Sequence, residues 1–120
     1  MKYMLLIHDT AATRETFMGE QGAELMATME AIMSELTASG ELIGGEGLAD
    51  PSQTRTVRVQ GGQRVTTDGP FAEAKEHLGG YLMLECDSIE RATSIAERWP
   101  LLESGGIEVR PVMEQSGAEM

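Results

Sequence analysis

Hydrophobic and polar positions repeat one plan twice along the chain. Tyr3-Met4-Leu5-Leu6-Ile7 is a short apolar run closed by Asp9 and Thr10, the pattern of a strand buried on both faces. Leu25, Met29, Ile32, Met33 and Leu36 then recur at helical spacing, with Glu24, Glu30, Ser34 and Glu35 on the other side, and Gly40 stands where a left-handed residue ends a helix. Gly19 and Gly22 each weaken the start of that helix by about 1 kcal/mol relative to alanine, so a frayed or separate first turn is expected between Thr13 and Gly22. Residues 41–48 read as a strand interrupted by Gly44, Gly45 and Gly47, and Asp50-Pro51-Ser52 turns the chain. Residues 54–59 and 63–67 form a hairpin about Gly61-Gly62, a pair suited to the positive φ of primed turns. Residues 78–86 hold Tyr81-Leu82-Met83-Leu84 and predict a central strand. Asp87-Ser88, with Glu90 as an N3 carboxylate, opens a second helix whose inner stripe is Ile89, Ala92, Ile95, Ala96 and Trp99 and which ends at Pro100. Ile107, Val109 and Pro111 make the last strand, and Pro111 assigns it to an edge because it cannot donate to a ladder.

Strand, helix, strand, hairpin, strand, helix, strand amounts to two βαβ halves with an insertion. The expected fold is α+β, a ferredoxin-like βαβ-βαβ sandwich with an inserted β-hairpin, since two right-handed crossovers place both helices on one face of a four-stranded sheet. Two helices cover one face only, yet residues 3–7 and 81–84 are apolar on both. A second copy of the sheet is the simplest cover, so a homodimer is expected. Composition adds limits: 120 residues at 41% hydrophobic fit one domain over residues 1–114, with 115–120 expected as a disordered tail. A net charge of −11, with nine scattered cations, argues against nucleic acid as a partner. The longest apolar run is far below the ~20 residues that cross a bilayer, so no membrane partner is expected. Cys86 is the single cysteine and cannot form an internal disulfide, which agrees with a cytoplasmic location.

Candidate chemistry is sparse: His8, Asp9, Asp68, Lys75, His77, Tyr81 and Cys86. His8 and Asp9 end the first strand side by side, so their side chains point to opposite faces and do not easily serve one atom. His8 reads as a base or as a half-exposed strand end; Asp9 reads as a carboxylate for a site or as the start of a turn. Asp68-Gly69-Pro70 is a turn by composition, with Asp68 expected to accept the backbone amides that hold Gly69 and Phe71. Lys75 and His77 share a loop, and the plain alternative for them is a solvated surface. Cys86 behaves as a small hydrophobe, and the nine methionines as core filler. No C-x-x-C, H-E-x-x-H or helical histidine pair is present, so no metal is expected. Gly45-Glu46-Gly47 lacks the third glycine of a dinucleotide fingerprint, having Asp50 there, and no cofactor is expected.

Asp68-Gly69-Pro70-Phe71-Ala72-Glu73-Ala74-Lys75-Glu76 resembles the DGPFAETKE signature of the DGPF family, part of the YCII-related superfamily, with Ala74 where threonine is usual. The opening Met1–Ile7, Gly45-Glu46-Gly47-Leu48, Leu78-Gly79-Gly80-Tyr81 and Glu108-Val109-Arg110-Pro111-Val112 are similar to the family as well. The resemblance implies a dimeric α/β barrel with a cleft at the sheets, and Asp68, Gly69, Pro70, Phe71, Lys75 and Tyr81 as motif or ligand-binding residues. It also implies an acid–base aspartate closing the first strand, matched here by Asp9, whose histidine partner in some relatives lies on the first helix; Met29 and Glu30 are the nearest equivalents here. Relatives encoded beside sigma factors suggest a regulatory setting. The expectation is therefore a small-molecule binding module, with an acid–base enzyme of the lyase or dehydrochlorinase kind acting through Asp9, with His8 beside it, as the alternative, and a purely structural dimer as the third reading.

Overall fold

In a computed structural model, which describes residues 1–70 and 74–113, six strands and three α-helices follow the expected order. Strands β1 (Lys2–Asp9), β2 (Leu42–Gly47), β5 (His77–Glu85) and β6 (Gly106–Pro111) form one antiparallel sheet in the order β2-β5-β1-β6. That is the strand order of a ferredoxin-like sandwich, with the two strands apolar on both faces at its centre. Strands β3 (Arg55–Gln60) and β4 (Gln63–Asp68) pair only with each other, and Gly61 and Gly62 turn between them at φ +57° and +80°. Phe71 and the expected tail, residues 115–120, lie outside the described residues.

The core sits between the sheet and helices α2 (Gly22–Ala38) and α3 (Ile89–Ala96). Tyr3, Leu5, Leu82 and Leu84 meet Ile32, Leu36, Ala92, Ile95 and Ala96 there, all buried. Alternation along the same strands turns Met4, Leu6, Tyr81 and Met83 to the other face, where they are half-buried. Helix α2 ends as its sequence predicts: Gly40 takes φ +80°, its amide donates to the Thr37 carbonyl, and the Glu41 amide reaches the Leu36 carbonyl.

Three expectations shift. The separate first turn is a full helix, α1 (Ala11–Met18), because Thr10 and Thr13 cap it reciprocally and both hydroxyls lie 2.7 Å from Ser104 Oγ. Helix α3 is capped one residue later than expected: Ser88 Oγ accepts from the Arg91 amide at 3.1 Å, which makes Arg91, and not Glu90, the N3 residue. It also ends at Ala96, ahead of Trp99 and Pro100. In the turn after β4 the Gly69 amide donates to the Thr54 carbonyl at 2.7 Å, and not to Asp68, and Thr56 Oγ1 donates to the Gly69 carbonyl at 2.8 Å; the expected bond from the Phe71 amide to Asp68 lies outside the described residues.

Candidate functional site

Beside the core, where α2 stands away from the edge strand β2, the helix layer and the sheet enclose a cavity of about 840 Å³. Its helix wall is Met26, Met29 and Met33, the side chains that the apolar stripe of α2 carries beyond Ile32 and Leu36. Its floor is short of side chains because Gly44, Gly45 and Gly47 of β2 and Gly79 and Gly80 of β5 line it, with Gly47 paired to Gly80. Phe17 and the segment Trp99–Leu102 close the sides, with Leu101 in the left-handed region at φ +65°, an uncommon conformation for a branched residue. The surface is mostly apolar, which suits a small molecule with a hydrophobic or aromatic body.

Asp9 supplies the charge. It ends β1 on the helix side, and a register shift between Ile7 and His8 sets it over Gly79, where a β-carbon would stand 2.4 Å from Asp9 Oδ2. Arg14, on the first turns of α1, donates from Nη1 to Asp9 Oδ1 at 2.8 Å and holds Nε 3.8 Å from Asp50 Oδ2. Asp50 in turn accepts from the Ser52 amide at 2.9 Å, and that bond holds its carboxyl below the usual range. Oδ2 of Asp9 has no hydrogen-bond partner among the described residues and is open to a donor from the cavity. His77 is the cross-strand partner of Asp9, and its Nδ1 is buried with no hydrogen-bond partner among the described residues.

The other candidate residues fall elsewhere. His8 borders the cavity, but its ring turns to the opposite face and meets Glu108 Oε1 at 2.6 Å. Tyr81 of β5 borders the cavity too, although alternation along the strand turns its side chain to the outer face. Asp68 and Pro70 line a separate hollow of about 290 Å³ against the hairpin, with Thr56 and Arg58, so the two aspartates do not converge. Gly69, at φ +90°, stands in the turn beside that hollow. Lys75 is exposed ahead of β5. Phe71 lies outside the described residues. Cys86 is buried in the core, and burial pushes its thiol pKa up. The sequence reading set the ligand cleft between the sheets of two copies; the large cavity lies instead on the helix side of one. It also passed over Arg14 and Asp50. Arg14 had a signal, the Thr10-x-x-Thr13 cap that starts α1 and turns the next residue back toward the strand end, whereas Asp50 had none beyond its turn. No group of three or more His, Cys, Asp or Glu among the described residues could hold a metal ion. No helix is long and apolar enough to cross a membrane.

Comparison with known proteins places this geometry. An uncharacterized protein of Rhizobium meliloti (strain 1021) is 27% identical over 114 residues, covering 93% of this chain and 92% of its own. Among solved structures, the 5-chloro-2-hydroxyhydroquinone dehydrochlorinase of Burkholderia phenoliruptrix AC1100, in complex with 2,5-dihydroxybenzoquinone, has the same fold with a TM-score of 0.52 at 14% identity, over 97% of each chain. The family model described as the YCII-related domain matches residues 1–116, and the chain accordingly belongs to the YCII-related family.

Proposed function

We propose that the protein binds a small hydroxylated aromatic molecule in the helix-side cavity, with Asp9 as the hydrogen-bond acceptor, and works as a homodimer of the DGPF branch in a cytoplasmic, regulatory setting. One observation carries the ligand class: in a mostly apolar wall the Asp9 carboxylate, tied to Arg14 through Oδ1, keeps an oxygen with no partner among the described residues, with Glu46 as the second carboxylate of the lining. An apolar body with one donor fits that wall, and a volume of about 840 Å³ is within the roughly 300–1,000 Å³ of small-molecule sites. A ligand with a second negative charge would meet Asp9 and Asp50 together. The DGPF assignment rests on residues 68–76, and the free thiol of Cys86 suits a reducing compartment.

Binding ranks above turnover because Met29 and Glu30 stand on α2 where an imidazole would complete an acid–base pair. The second reading, proton transfer by Asp9, is favoured by the shared fold with a dehydrochlorinase. Thermal shift against catechol and hydroquinone tests the first reading, and chloride release the second. Saturable stabilisation that Asp9→Asn reduces by about tenfold in affinity, the size of one lost charge-assisted bond, supports the site. No stabilisation of the wild-type protein, or equal stabilisation of the variant, overturns it. Chloride release from a chlorinated hydroquinone would move the assignment to the enzyme.

A further inference from the structure

We infer that the β3–β4 hairpin is a docking arm for the acidic α2 face of a second copy of this chain, an interface distinct from the open face of the main sheet. The hairpin forms a sheet of its own, and an isolated two-stranded ribbon is marginal in water unless one face is covered. Register puts Arg55, Val57 and Val59 of β3 on one face with Arg64, Thr66 and Asp68 of β4, Asp68 standing opposite Arg55. Val57 and Val59 are 63% and 67% exposed there, an apolar pair on the outside of a domain whose large core residues are mostly covered.

Charge identifies the occupant. The ribbon, residues 55–68, carries Arg55, Arg58 and Arg64 against the one carboxylate of Asp68, whereas residues 15–53 carry eight carboxylates and no lysine or arginine. Within that acidic stretch Glu35 is paired with Arg98 and Glu41 with Arg91, while Glu20, Glu24 and Glu30 are exposed at the start and along the outer side of α2. Arg55 and the Val59–Arg64 pair stand about 13 Å apart along the ribbon. Glu24 and Glu30 are about 9 Å apart along the helix, a difference that arginine side chains span. A second copy supplies the acidic face at the same concentration as the arm. Reciprocal docking closes on a two-fold axis, each hairpin laid on the other copy's α2, and leaves no open chain of contacts. The outer face of the main sheet is apolar along its two central strands, with Glu108 and Arg110 on the edge strand β6, so the two interfaces respond differently to salt.

Sedimentation velocity on the full chain tests this as sodium chloride rises from about 0.05 M to about 0.5 M, where screening shortens from roughly 14 Å to roughly 4 Å. The expected result is an association step that weakens by at least about tenfold over that range, as steered charge contacts do. Arg55→Glu/Arg64→Glu and Val57→Asp/Val59→Asp should each abolish the step while circular dichroism stays unchanged. Mixing the arginine variant with Glu24→Lys/Glu30→Lys should restore it. Salt-independent association, or hairpin variants that associate as the wild type does, would overturn the proposal.

Discussion

Asp9 owes its place to a residue that has no side chain. A β-carbon at Gly79 would stand 2.4 Å from Oδ2 and 2.9 Å from Cγ of Asp9, so Gly79→Ala should push the carboxylate off Arg14. We expect this variant to lose ligand-induced stabilisation and to cost about 1–3 kcal/mol in urea unfolding, the range for overpacking a closed site. Asp68 differs from Asp9 in kind, because Gly69, the residue after it, is held through its amide by Thr54 and through its carbonyl by Thr56. Asp68→Asn should change stability by less than about 0.5 kcal/mol, whereas Thr56→Val removes the hydroxyl bonded to the Gly69 carbonyl and should cost about 1 kcal/mol. Unfolding midpoints of the two variants separate the roles, and a costly Asp68→Asn would return the turn to the aspartate. At this scale the sequence was legible where a residue's place on a strand set its direction: Asp9 and His8 do face opposite ways. It was silent on Asp50, whose meeting with Arg14 depends on how a helix and a loop return to one strand end.

Elements were legible wherever a local signal was strong. Gly40, Gly61-Gly62 and the double-faced apolar strands all mark what the structure builds. Helix α1 was underestimated because much of its support is remote: Ser104, just before β6, binds both capping hydroxyls, and no local window contains it. A second remote tie joins α3 to the end of α2. Arg91 donates from Nε and Nη2 to both oxygens of Glu41, each at 2.8 Å, and with the Ser39 hydroxyl this pushes the Glu41 carboxyl down to about 2 from an ordinary 4.5. A folded value below the unfolded one gives stability that is complete above the unfolded value and is lost as pH falls through the folded one. The stability difference between wild type and Glu41→Gln should therefore be constant above about pH 5.5, shrink below 4.5 and vanish near 2. Denaturant titrations at several pH values check it; a difference that persists at about pH 2 would deny Arg91 that role.

As a whole molecule the chain is a slab, 20 Å through its thinnest axis, one sheet and one layer of helices. Half of each central strand packs under the helices and the other half, Met4 and Leu6 on β1 with Tyr81 and Met83 on β5, faces outward. The alternation that made these strands look buried on both sides thus meets a fold that covers one side, and the whole argument for a sheet-to-sheet dimer rests on that mismatch. Leu6 pairs directly with Tyr81 and Met4 with Met83, so an aspartate at position 6 would place a charge beside Met4, Tyr81 and Met83, with Glu108 of β6 on its other side. If a second sheet covers them, Leu6→Asp buries an unpaired carboxylate and should split the dimer while leaving the helix-side core, which it does not touch, folded. If water covers them, the same substitution should be silent or raise solubility. Light scattering at micromolar concentration and about 0.5 M salt, where charge contacts of the hairpin kind are screened, isolates this face. The expected reading is a dimer for the wild type and a 13.0 kDa monomer for Leu6→Asp, with the same far-ultraviolet circular dichroism. A wild-type monomer under those conditions would leave the apolar outer face uncovered and would sink the barrel-like pairing.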